Sequence, residues 1–191
     1  MNQLEFYQQL LLKWNQKINL IGQGTESDFR RRHIDDSLQV CEYIPKTAKT
    51  LADFGSGAGL PGLIIAIAKP EIQAHLIESD SRKCAFLQEA KAQLQLPNIV
   101  IHNDRVEKIR DLKPDIITAR AFSDLKTFLE IALLFQNNNN PNLLNILLKG
   151  GNVDSEIETA KKFYDFKYEI HKSATDESGK ILLITSIGNR K

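Results

Sequence analysis

One segment, Leu51–Gly62, constrains the fold of this chain more than any other, because it joins a short apolar run to a glycine-rich turn. The apolar run Leu63–Ala68 follows directly, so the segment predicts a strand, a tight turn and a helix. Glycine has no Cβ and tolerates positive φ, which lets the backbone of such a turn approach a ligand closely. Amide groups at the start of the helix can also receive an electronegative group of that ligand.

Asp53 precedes the turn and is expected to place a negative charge at the ligand end of the strand. The spacing of Gly57, Gly59 and Gly62 fits the G-x-G-x-x-G fingerprint of dinucleotide-binding enzymes. A pyrophosphate on this turn would lie close to the carboxylate, whereas the ammonium and sulfonium of S-adenosylmethionine would gain from it. Gly55-x-Gly57-x-Gly59 after an acidic residue is also the motif I pattern of class I methyltransferases. We favour S-adenosylmethionine, with a dinucleotide cofactor and a purely structural turn as the alternatives.

Length and composition narrow the class of protein. A chain of 191 residues favours one domain with a small extension. Its longest clean apolar run, Leu63–Ala68, is too short to cross a membrane, and the N-terminus lacks a signal-peptide pattern. Cys41 and Cys84 form neither a disulfide framework nor a zinc pattern, so we expect reduced cysteines, a cytoplasmic location and no metal. We also expect a monomer.

Two predicted helices precede the first strand. The first runs from about Leu4 to Leu20 and has an apolar stripe at three- and four-residue steps: Leu4, Tyr7, Leu11, Trp14 and Ile18. The second is expected from Phe29 or His33 to Tyr43. We assign residues 1–48 to an N-terminal helical extension, which a cofactor-binding fold does not itself require.

From Thr50 onward, predicted strands and helices alternate. The strands are Thr50–Phe54, Ala74–Glu78, Ile99–His102, Asp115–Ala119, Leu143–Leu148, Lys167–His171 and Ile181–Ile187. The helices are Leu63–Lys69, Ser81–Leu94, Val106–Ile109, Asp124–Phe135 and Ser155–Phe163. Alternation indicates an α/β fold with a doubly wound parallel sheet, and the last two strands are expected to form an antiparallel edge hairpin. Seven such strands in one compact domain, residues 49–191, predict the class I (Rossmann-like) methyltransferase fold. The asparagine-rich segment Asn137–Asn142 is predicted to be a loop.

In this fold a ligand binds beyond the carboxyl ends of the strands. Glu78 ends the second predicted strand and can accept hydrogen bonds from two ribose hydroxyls. Asp80 is the alternative residue for this role, and Glu78 could also be a surface carboxylate that binds no ligand. We therefore place Gly57 and Glu78 in the cofactor site. Residues 103–107 follow the third strand and are expected to contact adenine, although Asp104 could equally be a helix cap.

The fourth predicted strand ends in Thr118–Ser123, where an amino-methylating enzyme would carry an Asn/Asp-Pro-Pro-aromatic motif. That motif is absent, and no cysteine stands near a strand end as a nucleophile for a pyrimidine. Guanine N7 is a suitable acceptor, because its lone pair is free at neutral pH and catalysis then consists mostly of positioning. We assign no general base. Arg120 could hold the methionine carboxylate of the cofactor or an RNA phosphate, or it could form an ion pair with Glu107 or Asp104.

The densest basic cluster comprises Arg30, Arg31, Arg32 and His33. A phosphate-binding role for RNA and a solvated helix start that faces Asp35 and Asp36 are both consistent with it. Arginine at a helix N-terminus is unfavourable with the helix dipole, which slightly favours a partner.

Several stretches together resemble one family, the small-subunit rRNA guanine-N7 methyltransferases known as RsmG or GidB. The stretches are Trp14-Asn15, Asn19-Leu20, His33-Ile34-x-Asp36-Ser37-Leu38, Asp53–Gly62, Ser81-x-Lys83, Arg105–Glu107, Ala119–Phe122 and Leu148-Lys149-Gly150. The resemblance implies S-adenosylmethionine-dependent methylation of one guanine N7 in 16S rRNA or the small ribosomal subunit, in the bacterial cytoplasm. It also implies cofactor contacts at five positions: Gly55, Leu60, Val106, Glu107 and Arg120.

The chain departs from the family pattern in two places. Ile21 stands where family members often have threonine, and Ala58 stands where a proline is usual. The match beyond Gly151 is too weak to transfer residue roles. A small-molecule methyltransferase, a dinucleotide oxidoreductase and an RNA-binding assembly factor with a vestigial pocket remain as alternatives, and the presence of Asp53 and Glu78 counts against the last of these.

Overall fold

The computed structural model describes residues 2–22, 24–109, 111–136 and 143–190. The strands are β1 Thr50–Phe54, β2 Gln73–Glu78, β3 Ile99–Asn103, β4 Ile116–Arg120, β5 Leu144–Lys149, β6 Tyr164–Lys172 and β7 Lys180–Asn189. The α-helices are α1 Gln3–Asn15, α2 Asp36–Leu38, α3 Gly62–Ala68, α4 Ser81–Leu94, α5 Leu125–Ala132 and α6 Val153–Ala160. The predicted asparagine-rich loop at Asn137–Asn142 lies outside the described residues.

Within the described ranges, the seven strands form one sheet in the order β3-β2-β1-β4-β5-β7-β6. Strands β1 to β5 are parallel, and β7 is antiparallel to both β5 and β6. This arrangement confirms the predicted fold class. The predicted strand Thr50–Phe54 is identical to β1, and the other predicted strands differ from the observed ones by at most three residues at either end. The insertion of β7 between β5 and β6 depends on long-range pairing, which local patterns do not report.

The two faces of the sheet support separate apolar clusters. On one face, Leu51 of β1 packs in the cluster that contains α3, α4 and the N-terminal extension. On the other face, Phe54 of β1 packs in the cluster that contains α5 and α6. Because a parallel sheet is covered on both faces, its strands are continuous apolar runs rather than alternating ones. Since β1 to β5 run in the same direction, the carboxyl ends of β1, β2, β4 and β5 lie along a single edge of the sheet.

Helix α1 ends five residues before the predicted boundary. The Asn15 side-chain oxygen accepts hydrogen bonds from the amides of Leu20 and Ile21, at 2.9 and 3.1 Å, and so redirects the chain after the helix. The N-terminus of α1 has a capping box between Asn2 and Glu5. Of the predicted stripe, Tyr7 and Leu11 are fully buried.

The segment predicted as one helix from Phe29 or His33 to Tyr43 is helical, but it is not a single regular helix. The chain there forms a π-helical turn over Arg30–Asp35, then α2, then a 3-10 turn over Gln39–Glu42. The Ser37 hydroxyl donates to the His33 carbonyl at 2.6 Å, and such bonds from a side chain to the preceding turn distort helices. π-helical turns occur frequently at functional sites.

The N-terminal extension covers the rear of the glycine turn. The Tyr7 hydroxyl donates to the Ala58 carbonyl at 2.6 Å, and Phe29 and Ile34 belong to the same apolar cluster as Leu63 of α3. Residues 1–48 thus share a core with the sheet. In the described part of the chain, no helix has the length and apolarity needed to cross a bilayer.

Candidate active site at the carboxyl edge of the sheet

The glycine turn adopts a backbone conformation that favours glycine. Gly55 has φ +64° and Gly57 has φ +56°. A Cβ on Gly55 would stand 2.6 Å from Cδ2 of Phe122, so the aromatic ring packs directly on the bare backbone. The turn therefore presents its main chain to a narrow crevice between β1 and the loop after β4.

Glu78 lies at the end of β2 and is 8% exposed. One carboxylate oxygen accepts from the Gly57 amide at 2.9 Å, and the other accepts from the Asp80 amide at 2.8 Å. A carboxylate can accept about four hydrogen bonds, so each oxygen can still accept one from a hydroxyl group. The geometry fits the predicted ribose role. Asp80, the alternative, caps α4 and forms an ion pair with Arg82 at 3.0 Å.

A cavity of about 130 Å³, here called the glycine-turn crevice, lies beside these groups. Its walls include Gly55, Glu78, Asp104, Val106, Glu107 and Phe122. In the described part of the chain, three carboxylates line it against one guanidinium, that of Arg105. The crevice therefore disfavours a pyrophosphate and admits a neutral or cationic ligand.

Asp53 does not provide the exposed charge that the sequence predicted. Its side chain is completely buried, and its Oδ1 accepts from the Thr118 hydroxyl at 2.8 Å. Among the described residues, Oδ2 has no hydrogen-bond partner. Burial raises the pKa of this carboxyl to about 6, and the Thr118 hydrogen bond only partly opposes that shift. The prediction was wrong because it followed the strand direction and ignored α3, which covers this face.

The positions predicted from the family motifs separate into three places. Gly55, Val106 and Glu107 line the glycine-turn crevice. Leu60 is 4% exposed and packs in the apolar core beneath the turn, so its side chain supports the turn rather than facing the crevice. Arg120 lines two neighbouring cavities instead.

Arg120 connects β4 to the N-terminal extension. Its Nη1 donates to the Arg32 carbonyl at 3.1 Å and lies 3.4 Å from Asp36 Oδ2, while its Nη2 is 3.2 Å from His33 Nδ1. The predicted ion pair with Glu107 or Asp104 is not observed among the described residues, where Asp104 pairs with Lys108 instead. The arginine thus joins the basic cluster to the sheet edge.

The basic cluster is divided between surface and interior. Arg31 and Arg32 are exposed and line a cavity of about 650 Å³, here called the arginine cavity. Arg30 pairs with Asp35 at 2.8 Å, as the solvated alternative predicted. His33 is 5% exposed, and burial, followed by Arg120 and Arg32, lowers its pKa to about 4. His33 also lines the arginine cavity, where its Nε2 is 2.9 Å from the Thr25 hydroxyl and its Nδ1 is 3.2 Å from Arg120 Nη2, and its phosphate-binding role stays a prediction.

A third cavity, of about 340 Å³, lies on the β5 side of Arg120 and is here called the β5-end cavity. Its walls include Arg120, Ala121, Ser123, Lys149, Glu156 and Asp176. The loop 120–123 borders both this cavity and the glycine-turn crevice, since Ala121 lines the former and Phe122 lines the latter.

Sequence reasoning missed Asp36 and the loop 173–179. Asp36 Oδ1 accepts from Gln39 and from Thr175, each at 2.8 Å, while Oδ2 faces Arg120. Gln39 also accepts from the Ala174 amide at 2.9 Å. The motif that contains His33 and Asp36 was the available signal, but partners more than a hundred residues away were not deducible. Among the described residues, no group of three or more His, Cys, Asp or Glu side chains could hold a metal.

Comparisons with known proteins identify one family. The family model described as rRNA small subunit methyltransferase G, GidB, matches residues 1–184. The chain is 43% identical to Ribosomal RNA small subunit methyltransferase G of Rickettsia rickettsii (strain Sheila Smith) over 96% of this chain and 93% of that protein. The corresponding protein of Rickettsia prowazekii (strain Madrid E) is also 43% identical over the same shares.

Solved structures resemble the chain in fold. A SAM-dependent methyltransferase from Aquifex aeolicus superposes with a TM-score of 0.64 at 15% identity, over 83% of this chain and 93% of that one. The M. jannaschii TYW2 structure in complex with AdoMet has a TM-score of 0.59 at 13% identity, over 92% and 80%. The family predicted from the sequence motifs is thereby confirmed: the chain belongs to the GidB family of rRNA small subunit methyltransferases.

Proposed function

We propose that this chain transfers the methyl group of S-adenosylmethionine to N7 of a guanine in small-subunit rRNA, with the cofactor in the glycine-turn crevice. Family membership supports the reaction, and the observation that supports the placement is the crevice itself. When bound, the cofactor supplies an electrophilic methyl group on its sulfonium. The chain supplies binding, orientation and the exclusion of water.

The residues present fit this cofactor. Gly55 and Gly57 expose backbone, and the buried Glu78 keeps acceptor positions for ribose hydroxyls. Val106 provides an apolar wall where adenine is expected. The crevice of about 130 Å³ is smaller than the ~300 Å³ at which cavities for drug-sized ligands begin, so it accommodates part of the molecule and the rest extends past Gly55.

In this proposal the acceptor base enters through the β5-end cavity and meets the sulfonium methyl directly beside loop 120–123, which borders both cavities. Among the residues that the structure describes, the β5-end cavity is lined by three carboxylates, those of Asp36, Glu156 and Asp176, and by three cations, those of Arg120, Lys149 and Lys180. Asp36 pairs with Arg120 and Glu156 pairs with Lys149, so these two carboxylates already have cationic partners. Alkylation of N7 moves positive charge from the sulfonium to the base, and the contribution proposed for the chain is the positioning of the two reactants. Guanine N7 has no proton to lose, so no side chain acts as a base.

RNA backbone is proposed to lie along the arginine cavity. Arg31 and Arg32 are exposed there, and the carboxylates of Asp28, Asp36, Asp176 and Glu177 also line the cavity. Phosphate binding is therefore proposed to depend on bidentate contacts with the guanidinium groups and not on the net charge of the cavity. Arg120 is held between this cavity and the β5-end cavity. It is therefore placed to contact either the phosphate beside the target base or the carboxylate of the cofactor.

The decisive experiment is a labelled-methyl transfer to small ribosomal subunits that lack this modification, followed by mapping of the product. We expect 7-methylguanine in the small-subunit RNA and no label in protein or in small metabolites. Calorimetry with S-adenosylmethionine and NAD accompanies it, and only the former is expected to bind. Label confined to metabolites, or binding of NAD alone, would contradict the proposal.

Replacing Glu78 with glutamine is expected to weaken S-adenosylmethionine binding by about 1–3 kcal/mol, which is roughly 5- to 150-fold in Kd. One oxygen becomes an amide that faces the amide of Gly57 or Asp80, and the ribose hydroxyls lose an acceptor. The measurement is calorimetric titration. Glu71→Gln, an exposed carboxylate before the start of β2, is the matched control and should bind normally. Equal affinity of both variants would remove Glu78 from the site.

A further inference from the structure

The loop after β4 adopts an unfavourable backbone conformation between the two proposed binding cavities. Ala121 has φ +51°, a region that residues with a Cβ rarely occupy. Such a conformation persists only where surrounding contacts determine it, and it is often found where a site needs fixed geometry. Phe122 faces the glycine-turn crevice from this loop, and Ala121 faces the β5-end cavity.

Lys149 and Glu156 supply the contacts that fix the loop. Lys149, at the end of β5, donates from Nζ to the Ser123 carbonyl at 3.0 Å and to Glu156 Oε2 at 2.7 Å. The same Glu156 oxygen accepts from the Leu125 amide at 2.8 Å, at the start of α5. The lysine and glutamate side chains are only 12% and 26% exposed, so water competes weakly for these bonds. Both ends of the loop are therefore held, one by β4 and the other by this pair.

We infer that Lys149 is a positioning residue for methyl transfer, because its ammonium holds loop 120–123, which borders both the cofactor crevice and the cavity of the acceptor base, so that N7 can lie in line with the sulfonium methyl. This inference rests on the proposed function and deepens it. Lys149 also lines the β5-end cavity, and in this inference it acts by holding the loop and not by contact with a reactant. A displacement of about 1 Å between reacting groups can cost about 100-fold in rate.

The test compares three variants in the full chain. Lys149→Met removes the charge and keeps a long side chain, Lys149→Arg restores a donor, and Lys161→Met is the matched control. Lys161 directly follows α6 and forms a 2.9 Å ion pair with Glu158 of that helix, but its side chain is 42% exposed and it is not among the described residues that line the three cavities. The readouts are single-turnover methylation of small subunits, calorimetric binding of S-adenosylmethionine and hydrogen exchange of the peptide that spans 120–126.

Lys149→Met is expected to slow methyl transfer by about 100-fold while the Kd for S-adenosylmethionine changes by less than about threefold. Amides in 120–126 should exchange faster, with little change elsewhere. Lys149→Arg should recover a large part of the rate, and Lys161→Met should match wild type in all three measurements.

Two results would overturn the inference. One is a Lys149→Met enzyme that behaves like Lys161→Met. The other is a Lys149→Met enzyme that loses cofactor affinity and global exchange protection together, which indicates a merely structural lysine. A wild-type chain that binds no S-adenosylmethionine and methylates no small-subunit RNA would instead overturn the proposed function, and with it this inference.

Discussion

Gly62→Ala is expected to destabilise the protein by about 3 kcal/mol, which corresponds to roughly 6–12 °C in the melting temperature for a chain of this size. An alanine Cβ would stand 2.6 Å from Asp53 Cβ and 2.6 Å from Leu76 Cδ2. Asp53 and Leu76 are paired neighbours on β1 and β2, and both are buried beneath α3. Neither can withdraw without moving a strand, so α3 and the glycine turn must shift. Urea-induced unfolding of the wild type and the variant measures this difference in the free energy of unfolding.

Gly150→Ala is the matched control for this prediction. Gly150 follows β5, and an added Cβ there would meet no heavy atom within 4 Å among the described residues. Its stability should stay within about 1 kcal/mol of wild type, because an alanine in an open, permitted conformation mainly restricts the unfolded chain. If Gly62→Ala melts together with Gly150→Ala, the tight contact between α3 and β1 is not real.

Asp53 and His33 are expected to give opposite pH dependences of stability. Burial raises the pKa of Asp53 from 3.8 to about 6, so the folded state binds this proton more tightly than the unfolded chain. Its contribution to stability is present below about pH 4 and is lost as the pH rises through 6. Burial, followed by Arg120 and Arg32, lowers the pKa of His33 from 6.5 to about 4. Its contribution is present above pH 6.5 and is lost as the pH falls towards 4.

Each effect is on the order of 3 kcal/mol at full extent, and the two nearly cancel in the wild type between pH 4 and 6.5. The variants Asp53→Asn and His33→Gln separate them. Relative to wild type, Asp53→Asn should lose stability on acidification through this window, and His33→Gln should gain it. Urea unfolding at several pH values supplies the differences, in which the other titrating groups cancel. Difference curves that are flat for both variants would contradict these assignments.

The alternation of strands and helices could be predicted from the sequence because those signals are local. The run 50–54 is β1 without correction, and Ser81–Leu94 is α4 without correction. The glycine turn and Glu78 lie within one βαβ unit, so the spacing along the chain was enough to predict that they meet. The family motifs then indicated the reaction, which the comparisons bear out.

Several features could not be predicted because they depend on which elements cover each other. The Asp53 charge was expected at a ligand, but the packing of α3 on β1 buries it. Arg120 was expected to hold the cofactor carboxylate or an RNA phosphate, with an ion pair to Glu107 or Asp104 as the alternative, but its partner is Asp36 of the N-terminal extension, which is 84 residues away. The second helix was expected to be regular, but it is divided into π, α and 3-10 turns.

The sequence by itself thus determined the order of the elements, the class of cofactor and the identity of the family, because glycine spacing, strand periodicity and short motifs act over a few residues. Only the tertiary structure decided how the loop that borders both proposed binding cavities is held. That arrangement needs Ala121 directly after β4, Lys149 from β5 and Glu156 from α6, and their meeting depends on long-range contacts that no local pattern encodes.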